Sequence, residues 1–192
     1  MIRAQNLSKR FGDKRVLEGL DLEVARGGFV IVTGPNGSGK TTLLRLCAGL
    51  AAPTDGELDV YVPRGRIGFL GHESLLYGEL TALENLELYG RLYRLPERRE
   101  RSGAMLERFG LWRVRNERAG TFSRGMLQRL ALCRTFLHDP DLLLLDEPFD
   151  GLDAEGAELL HAELTERSAT ALVATHDPEA LEPRATARLA LA

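Results

Sequence analysis

Gly34-Pro35-Asn36-Gly37-Ser38-Gly39-Lys40-Thr41 fits G-x-x-x-x-G-K-[ST], the pattern of a loop that cradles nucleotide phosphates. The apolar stretch Phe29-Val30-Ile31-Val32 before it reads as a buried strand. Thr42-Leu43-Leu44-Arg45-Leu46-Cys47-Ala48 after it reads as a helix closed by Gly49. Strand, loop and helix in that order are the context the pattern needs. Glycines let the loop turn tightly so that successive N–H groups converge on the β-phosphate, and the helix N-terminus adds partial positive charge. Lys40 is expected to reach the β- and γ-phosphates, and the Thr41 hydroxyl to help hold Mg²⁺. The alternative, a Gly-rich turn that matches by accident, loses weight once a second motif follows downstream.

That second motif is Leu142-Leu143-Leu144-Leu145-Asp146-Glu147-Pro148. Four consecutive leucines suit a strand buried on both faces of a parallel sheet. Acids at its carboxyl end emerge at the crevice where open α/β sheets bind ligands. Asp146 is expected to orient the Mg²⁺ shell, and Glu147 to accept a proton from the water that attacks the γ-phosphate. Two solvated acids at a strand end are the bland reading, and the phosphate loop makes it the weaker one.

Around these motifs the pattern changes three times. Residues 2–33 read as short strands, Ile2 to Leu7, Val16 to Val24 and Phe29 to Thr33, broken at Gly12-Asp13 and Arg26-Gly27-Gly28. Pro53-Thr54-Asp55-Gly56 reads as a turn before strands Leu58–Val62 and Arg66–Leu70. From Thr81 to about Leu137 the spacing is helical. Thr81-Ala82-Leu83-Glu84 is a capping box with Leu83, Leu86 and Tyr93 on one stripe. Pro96 opens a second helix that turns Leu106 and Phe109 inward, and Ser123 caps a third that runs through Leu127, Leu130, Ala131 and Phe136. The α/β alternation then returns, with a helix opened by Asp153, a strand Ala171–Thr175, a short helix at Asp177-Pro178 and a strand Ala187–Leu191. The expected fold is α/β, with a mainly parallel core, an N-terminal antiparallel β subdomain and a helical insertion over roughly 73–137, in a single domain.

The 192 residues suffice for a full core. A net charge of −3 gives no electrostatic case for nucleic acid. Cys47 and Cys133 lie far apart inside helical segments, without metal-ligand spacing, and read as small core residues. No stretch approaches the roughly 20 apolar residues of a membrane helix, and Met1 to Asn6 lacks a signal peptide's apolar run. A chain that is soluble when isolated is the expectation.

Three further pieces narrow the class. Phe122-Ser123-Arg124-Gly125-Met126 precedes a helix, Gly151-Leu152-Asp153 follows Glu147, and His176 ends the next strand. In this order the set resembles the ATP-binding-cassette (ABC) ATPases across essentially the whole chain. The resemblance implies that Ser123 and Gly125, flanked by Arg124 and Met126, contact the γ-phosphate bound to a second subunit. It implies that Asp153 communicates across the dimer and that His176 hydrogen-bonds the γ-phosphate. Phe11 stands where the family places an aromatic that stacks on adenine, with Val16 packing against the same base. Alone, His176 would be an ordinary strand-end histidine and Phe11 a core residue. The implied partners are a second copy, in a nucleotide-dependent homodimer, and an integral membrane subunit at the cytoplasmic face.

Two departures stand out. The signature is not Leu-Ser-Gly-Gly-Gln, because Phe122, Arg124 and Met126 replace the leucine, first glycine and glutamine. The glutamine usual after strand Arg66–Leu70 is replaced by His72 in Gly71-His72-Glu73. An imidazole there can donate to a water or approach the metal, or do neither. Leu70-Gly71-His72-Glu73, Leu80-Thr81-Ala82-Leu83-Glu84-Asn85-Leu86 and the signature look like the ATP-binding subunit of the cytochrome c maturation (haem exporter) system. Exporters of lipid, peptide or drug remain open within transport. A soluble ABC protein of translation or repair would bring two cassettes or a long coiled coil, and a P-loop metabolite kinase would lack the signature.

Overall fold

In chain order the elements are β1 (Ile2–Phe11), β2 (Lys14–Val24), β3 (Phe29–Thr33), α1 (Lys40–Cys47), β4 (Asp55–Val60), β5 (Ile67–Leu70), α2 (Ala82–Leu92), α3 (Arg98–Arg108), α4 (Arg124–Phe136), β6 (Leu142–Asp146), α5 (Ala154–Glu166), β7 (Thr170–Ala174) and β8 (Ala187–Ala190). The computed structural model describes residues 1–167 and 169–192. They divide into two units, one of 1–71, 141–147 and 169–192, the other of 72–140 and 148–168.

The first unit holds two sheets. β1 and β2 pair antiparallel around Gly12-Asp13, and β4 flanks β1 on its other side, giving the order β2-β1-β4. Ile2, Ala4 and Leu7 of β1 and Leu17 and Val24 of β2 are buried, the alternation of strands with one covered face. The second sheet is parallel in every pairing, in the order β5-β6-β7-β3-β8. All five residues of β6 and of β7 are buried, as a central parallel strand requires. Leu43, Leu44, Leu46 and Cys47 of α1 pack into the same cluster as Leu142, Leu144 and Leu172. Burial pushes the Cys47 thiol up to about 12, so it stays a neutral apolar filler.

In the second unit, α2 starts with the expected capping box. The Thr81 hydroxyl accepts from Glu84 N at 3.2 Å, and the Glu84 carboxylate accepts from Thr81 N at 2.8 Å. Those bonds hold the Glu84 carboxyl below the usual carboxylate range. The face α2 buries is Ala82, Asn85, Leu86 and Gly90, whereas Leu83 and Tyr93 of the expected stripe are half-buried. Asn85 is completely buried because it serves the backbone. Its amide accepts from Tyr77 N at 2.8 Å and donates to the carbonyls of Tyr77 at 3.0 Å, Leu80 at 3.3 Å and Thr81 at 2.9 Å. Phe109 and Phe136 stack 6.0 Å apart, and buried Cys133 donates to the Met105 carbonyl at 3.4 Å, its thiol also raised well above its usual range by burial. Trp112 packs beside Gly103 of α3, with the Arg115 guanidinium 4.0 Å from its ring.

Several boundaries differ from the sequence reading. Asp55-Gly56 belongs to β4 rather than to a turn: Gly56, at φ +79°, lies opposite a register break of β1 between Gln5 and Ser8. Arg64–Arg66 form a 3-10 turn, so β5 begins at Ile67. α3 starts at Arg98, two residues after Pro96, because Glu97 is left-handed at φ +50°. The segment after Asp177-Pro178 is a 3-10 turn, Glu179–Arg184, with Pro183 inside it.

Candidate functional site

In the first unit, β6, β7 and β3 are neighbours, and their register aligns Asp146 with Ala174 and Ala174 with Val32. The residues that follow therefore leave the sheet at one edge. These are Glu147 after β6, Thr175-His176 after β7 and the loop Gly34–Gly39 after β3. Glu147 N donates to Ala174 O at 2.9 Å and Thr175 N to Val32 O at 3.1 Å, extending the ladder one step past each strand. The crevice at the carboxyl ends of a parallel sheet is thus lined with the motif residues.

The loop owes its path to glycine. A side chain on Gly34 would sit 2.4 Å from Leu191 O, and one on Gly39, at φ +101°, 2.7 Å from Leu17 Cδ2 and 2.9 Å from Val16 O. Gly39 thereby puts Val16 against the loop and starts α1 at Lys40. The Lys40 ammonium donates to the carbonyls of Gly34 at 2.7 Å and Pro35 at 3.2 Å, so its charge lies across the loop. Ser38 N donates to Pro35 O at 3.2 Å, and Ser38 Oγ is buried without a protein partner. An orphaned buried hydroxyl in a glycine-rich loop at the N-terminus of α1 suits an anion.

Thr41 Oγ1 donates to Asp146 Oδ2 at 2.6 Å, joining the two motifs directly. Asp146 is buried and Glu147 half-buried. Two adjacent hard oxygens fit Mg²⁺. Among the described residues no group of three or more His, Cys, Asp or Glu could hold a metal. Two protein oxygens leave most of an octahedral shell to phosphate and water, the usual way this ion is bound. Glu147 itself is left-handed at φ +46°, a sparsely populated region for a side-chain-bearing residue. That turn brings its carboxylate back over the neighbouring strand. Oε2 accepts from His176 N at 3.1 Å, and Oε1 lies 3.2 Å from His176 Nε2, within ion-pair reach but off the line of a hydrogen bond.

Phe11, at the tip of the β1–β2 hairpin, is 56% exposed, which removes the core reading of this residue. One face of its ring has the Lys9 ammonium 4.9 Å from the centroid, and that ammonium is held by Ala52 O at 2.7 Å.

The second unit carries the other predicted residues. Ser123 caps α4, its Oγ accepting from Met126 N at 3.3 Å, which leaves the hydroxyl proton to donate elsewhere. Phe122 is buried, a packing role that phenylalanine fills as well as leucine. Asp153 caps α5, accepting from Gly156 N at 2.9 Å. His72 is exposed in the segment before α2. Sequence reasoning did not foresee three ties from α4 to the segment after Glu147, made by Arg124, Gln128 and Arg129. Arginine in place of a signature glycine was the only visible sign of them.

A phosphate loop joined to an acid-ended strand defines a P-loop nucleotide-binding domain. The family model described as ABC transporter matches residues 17–150. The daunorubicin resistance ATP-binding protein DrrA3 of Streptomyces coeruleorubidus is 44% identical over 81% of this chain and 52% of its own length. The ABC transporter ATP-binding protein NatA of Bacillus subtilis is 36% identical over 95% of this chain and 82% of its own. A dimeric structure of the cassette MJ0796 in a post-hydrolysis state, bound to ADP and Pi, superposes with TM-score 0.86 at 30% identity, covering 100% of this chain and 94% of that one. The chain belongs to the ABC transporter family and is an ABC ATPase domain. It spans about half the length of DrrA3.

Proposed function

We propose that this chain is the energy-coupling subunit of an ABC transporter. Two copies close head to tail on two ATP molecules, hydrolyse them, and drive an integral membrane subunit from its cytoplasmic face. The observation that carries the reading is the convergence of loop, Asp146, Glu147 and His176 at one sheet edge, with Thr41 bonded to Asp146 and Glu147 to His176. The dimeric form of MJ0796 supports the pairing. Among the described residues no helix is long and apolar enough to cross a membrane.

In this reading the backbone N–H groups of Gly34–Thr42, Pro35 excepted, hold the phosphates, Lys40 swings from its loop carbonyls to the β- and γ-oxygens, and Phe11 and Val16 take the adenine. Thr41 and Asp146 would hold Mg²⁺, which when bound neutralises charge on the phosphates. Glu147 takes the proton of the attacking water, and His176 steadies both Glu147 and the γ-phosphate. Ser123 and Gly125, flanked by Arg124 and Met126, close on the γ-phosphate in the partner copy. Asp153 and His72 relay nucleotide state.

For the cargo, we propose haem handling for cytochrome c biogenesis, on the strength of Leu70-Gly71-His72-Glu73, the Leu80–Leu86 stretch and the signature. A second reading, export of a drug, is favoured by the similarity to DrrA3. The head-to-tail arrangement has a direct test. Ser123→Arg mixed with Lys40→Ala recovers one intact site per mixed dimer, and neither variant recovers activity alone. Mixed dimers without activity would overturn it.

A further inference from the structure

The second unit contains a contact set that the roles above do not use. Three side chains from the first turns of α4 reach the segment Pro148–Glu155. Gln128 Nε2 donates to Pro148 O at 3.1 Å, and Arg124 Nη2 donates to Asp150 Oδ2 at 2.6 Å. Arg129, its side chain 11% exposed, lies 3.4 Å from Asp153 Oδ2 and 3.5 Å from Glu155 Oε2. The backbones also touch. A Cβ on Gly125 would stand 3.1 Å from Gly151 O, and one on Gly151 would meet Arg124 Nε at 2.9 Å. Gly151 is at φ +78°, so it supplies both the left-handed turn and the flat bed along which Arg124 lies.

Asp153 is held from two sides. One carboxylate oxygen caps α5 through Gly156 N, and the other faces Arg129. Arg124 is otherwise misplaced, because a cation in the first turn of a helix opposes the helix dipole. Asp150 supplies the compensating charge.

We propose that Arg124, Gln128 and Arg129 are positioning residues that lock the signature turn and the segment 148–155 into one rigid piece. Ser123 and Gly125 are thereby offered to the second copy at a fixed spacing from Asp153. The inference rests on the head-to-tail dimer proposed above. Its consequence is preorganisation: the surface met by the partner does not have to be ordered on closure. The Arg124–Asp150 pair, with side chains 74% and 55% exposed, contributes modestly per copy, but it acts twice in a symmetric dimer.

The test uses the full chain. In a Glu147→Gln background, ATP-driven dimerisation is measured by analytical ultracentrifugation for Asp150→Ala, Arg124→Ala and the double variant, and ATP affinity is measured on dilute monomer. Asp150→Ala is expected to raise the dimer dissociation constant about two- to tenfold with monomer ATP affinity unchanged. The double variant is expected to be no weaker than the weaker single one. With Glu147 restored, the turnover of Asp150→Ala should recover as protein concentration rises, and Asp150→Glu should behave as the parent; a merely structural lesion does neither. An Asp150→Ala chain that dimerises like the parent would overturn the proposal. So would an Arg124→Ala effect that persists undiminished without Asp150, which would assign Arg124 to direct contact with the partner. A parent that fails to dimerise with ATP would instead remove the dimeric reading itself.

Discussion

Glu147 occupies a backbone conformation that few residues with side chains adopt, and its carboxylate is met by both the N–H and the ring of His176. Maintaining that turn costs of order 1 kcal/mol, and a solvated acid at a strand end would gain nothing from it. Glu147→Gln should therefore fold normally and bind ATP. Hydrolysis should fall by roughly 10²–10⁴-fold, the contribution of a positioned base. Phosphate release beside a nucleotide-binding assay checks both halves, and wild-type turnover would remove Glu147 from the base position. At this scale the sequence carried residue types but not conformations. The pattern Gly34–Thr41 fixes its loop through steric necessity at Gly34 and Gly39, so it can be read directly. The αL turn of Glu147 and the folding of Lys40 onto its own loop carbonyls leave no compositional trace.

Among the elements, strands β3 and β6 could be read from unbroken apolar runs and α2 and α4 from their caps, because each of those signals is local. Among the misjudged ends, those of α3 and β5 follow local backbone turns, and that of β4 follows a contact distant in sequence. Asp55-Gly56 has turn chemistry, but pairing with β1 takes it into β4 as a bulge. Asn85 sits where a helix stripe predicts an apolar residue, and only the path of Tyr77–Thr81 explains the amide. Asn85→Ala should destabilise the protein by about 2–4 kcal/mol, since it strands buried backbone groups. Thermal unfolding together with faster proteolysis near residues 75–81 would report the loss.

At the start of the parallel sheet, Arg66 grips Asp141 bidentately at 2.9 and 2.7 Å, joining the entries of β5 and β6. The Arg66 guanidinium holds the Asp141 carboxyl below its ordinary range. A lowered folded value means that the stabilisation is complete above the unfolded carboxylate range, near pH ~4. It is lost as pH falls through the lower folded value. Asp141→Asn should cost only about 0.5–1 kcal/mol at neutral pH, because the two side chains are 43% and 37% exposed and solvent screens the pair. It should also flatten the acid limb of the stability profile below pH ~4. Urea unfolding from pH 2 to 7 gives both numbers.

For the whole molecule, the chain passes from one unit to the other after Gly71, returns at Asp141 and leaves again after Glu147. The acid pair and the segment gripped by α4 are therefore covalent neighbours. Tyr77, 56% exposed, and Leu75, 45% exposed, stand on the segment anchored by Asn85. The Tyr89 hydroxyl donates to the Leu75 carbonyl as well. If this segment receives the membrane subunit, a charge at Leu76 or Tyr77 abolishes co-purification and leaves ATPase activity of the isolated protein largely intact, and, on the haem cargo proposed above, it stops c-type cytochrome maturation in cells. A folded variant that still binds its membrane partner and supports normal cytochrome levels would refute the assignment. Nothing in one chain's pattern separates such a surface from local packing, since both use the same apolar residues.

Trp112 is the chain's single tryptophan. It sits within the second unit, against Gly103 and under the Arg115 guanidinium, and is 38% exposed. A lone indole with a charged plate over its ring is a natural emitter whose intensity depends on that plate staying in place. The unaltered protein thus carries its own optical gauge of one unit and not the other. A change in its emission when ATP is added to the phosphate loop would be a signal relayed from a site that contains no tryptophan.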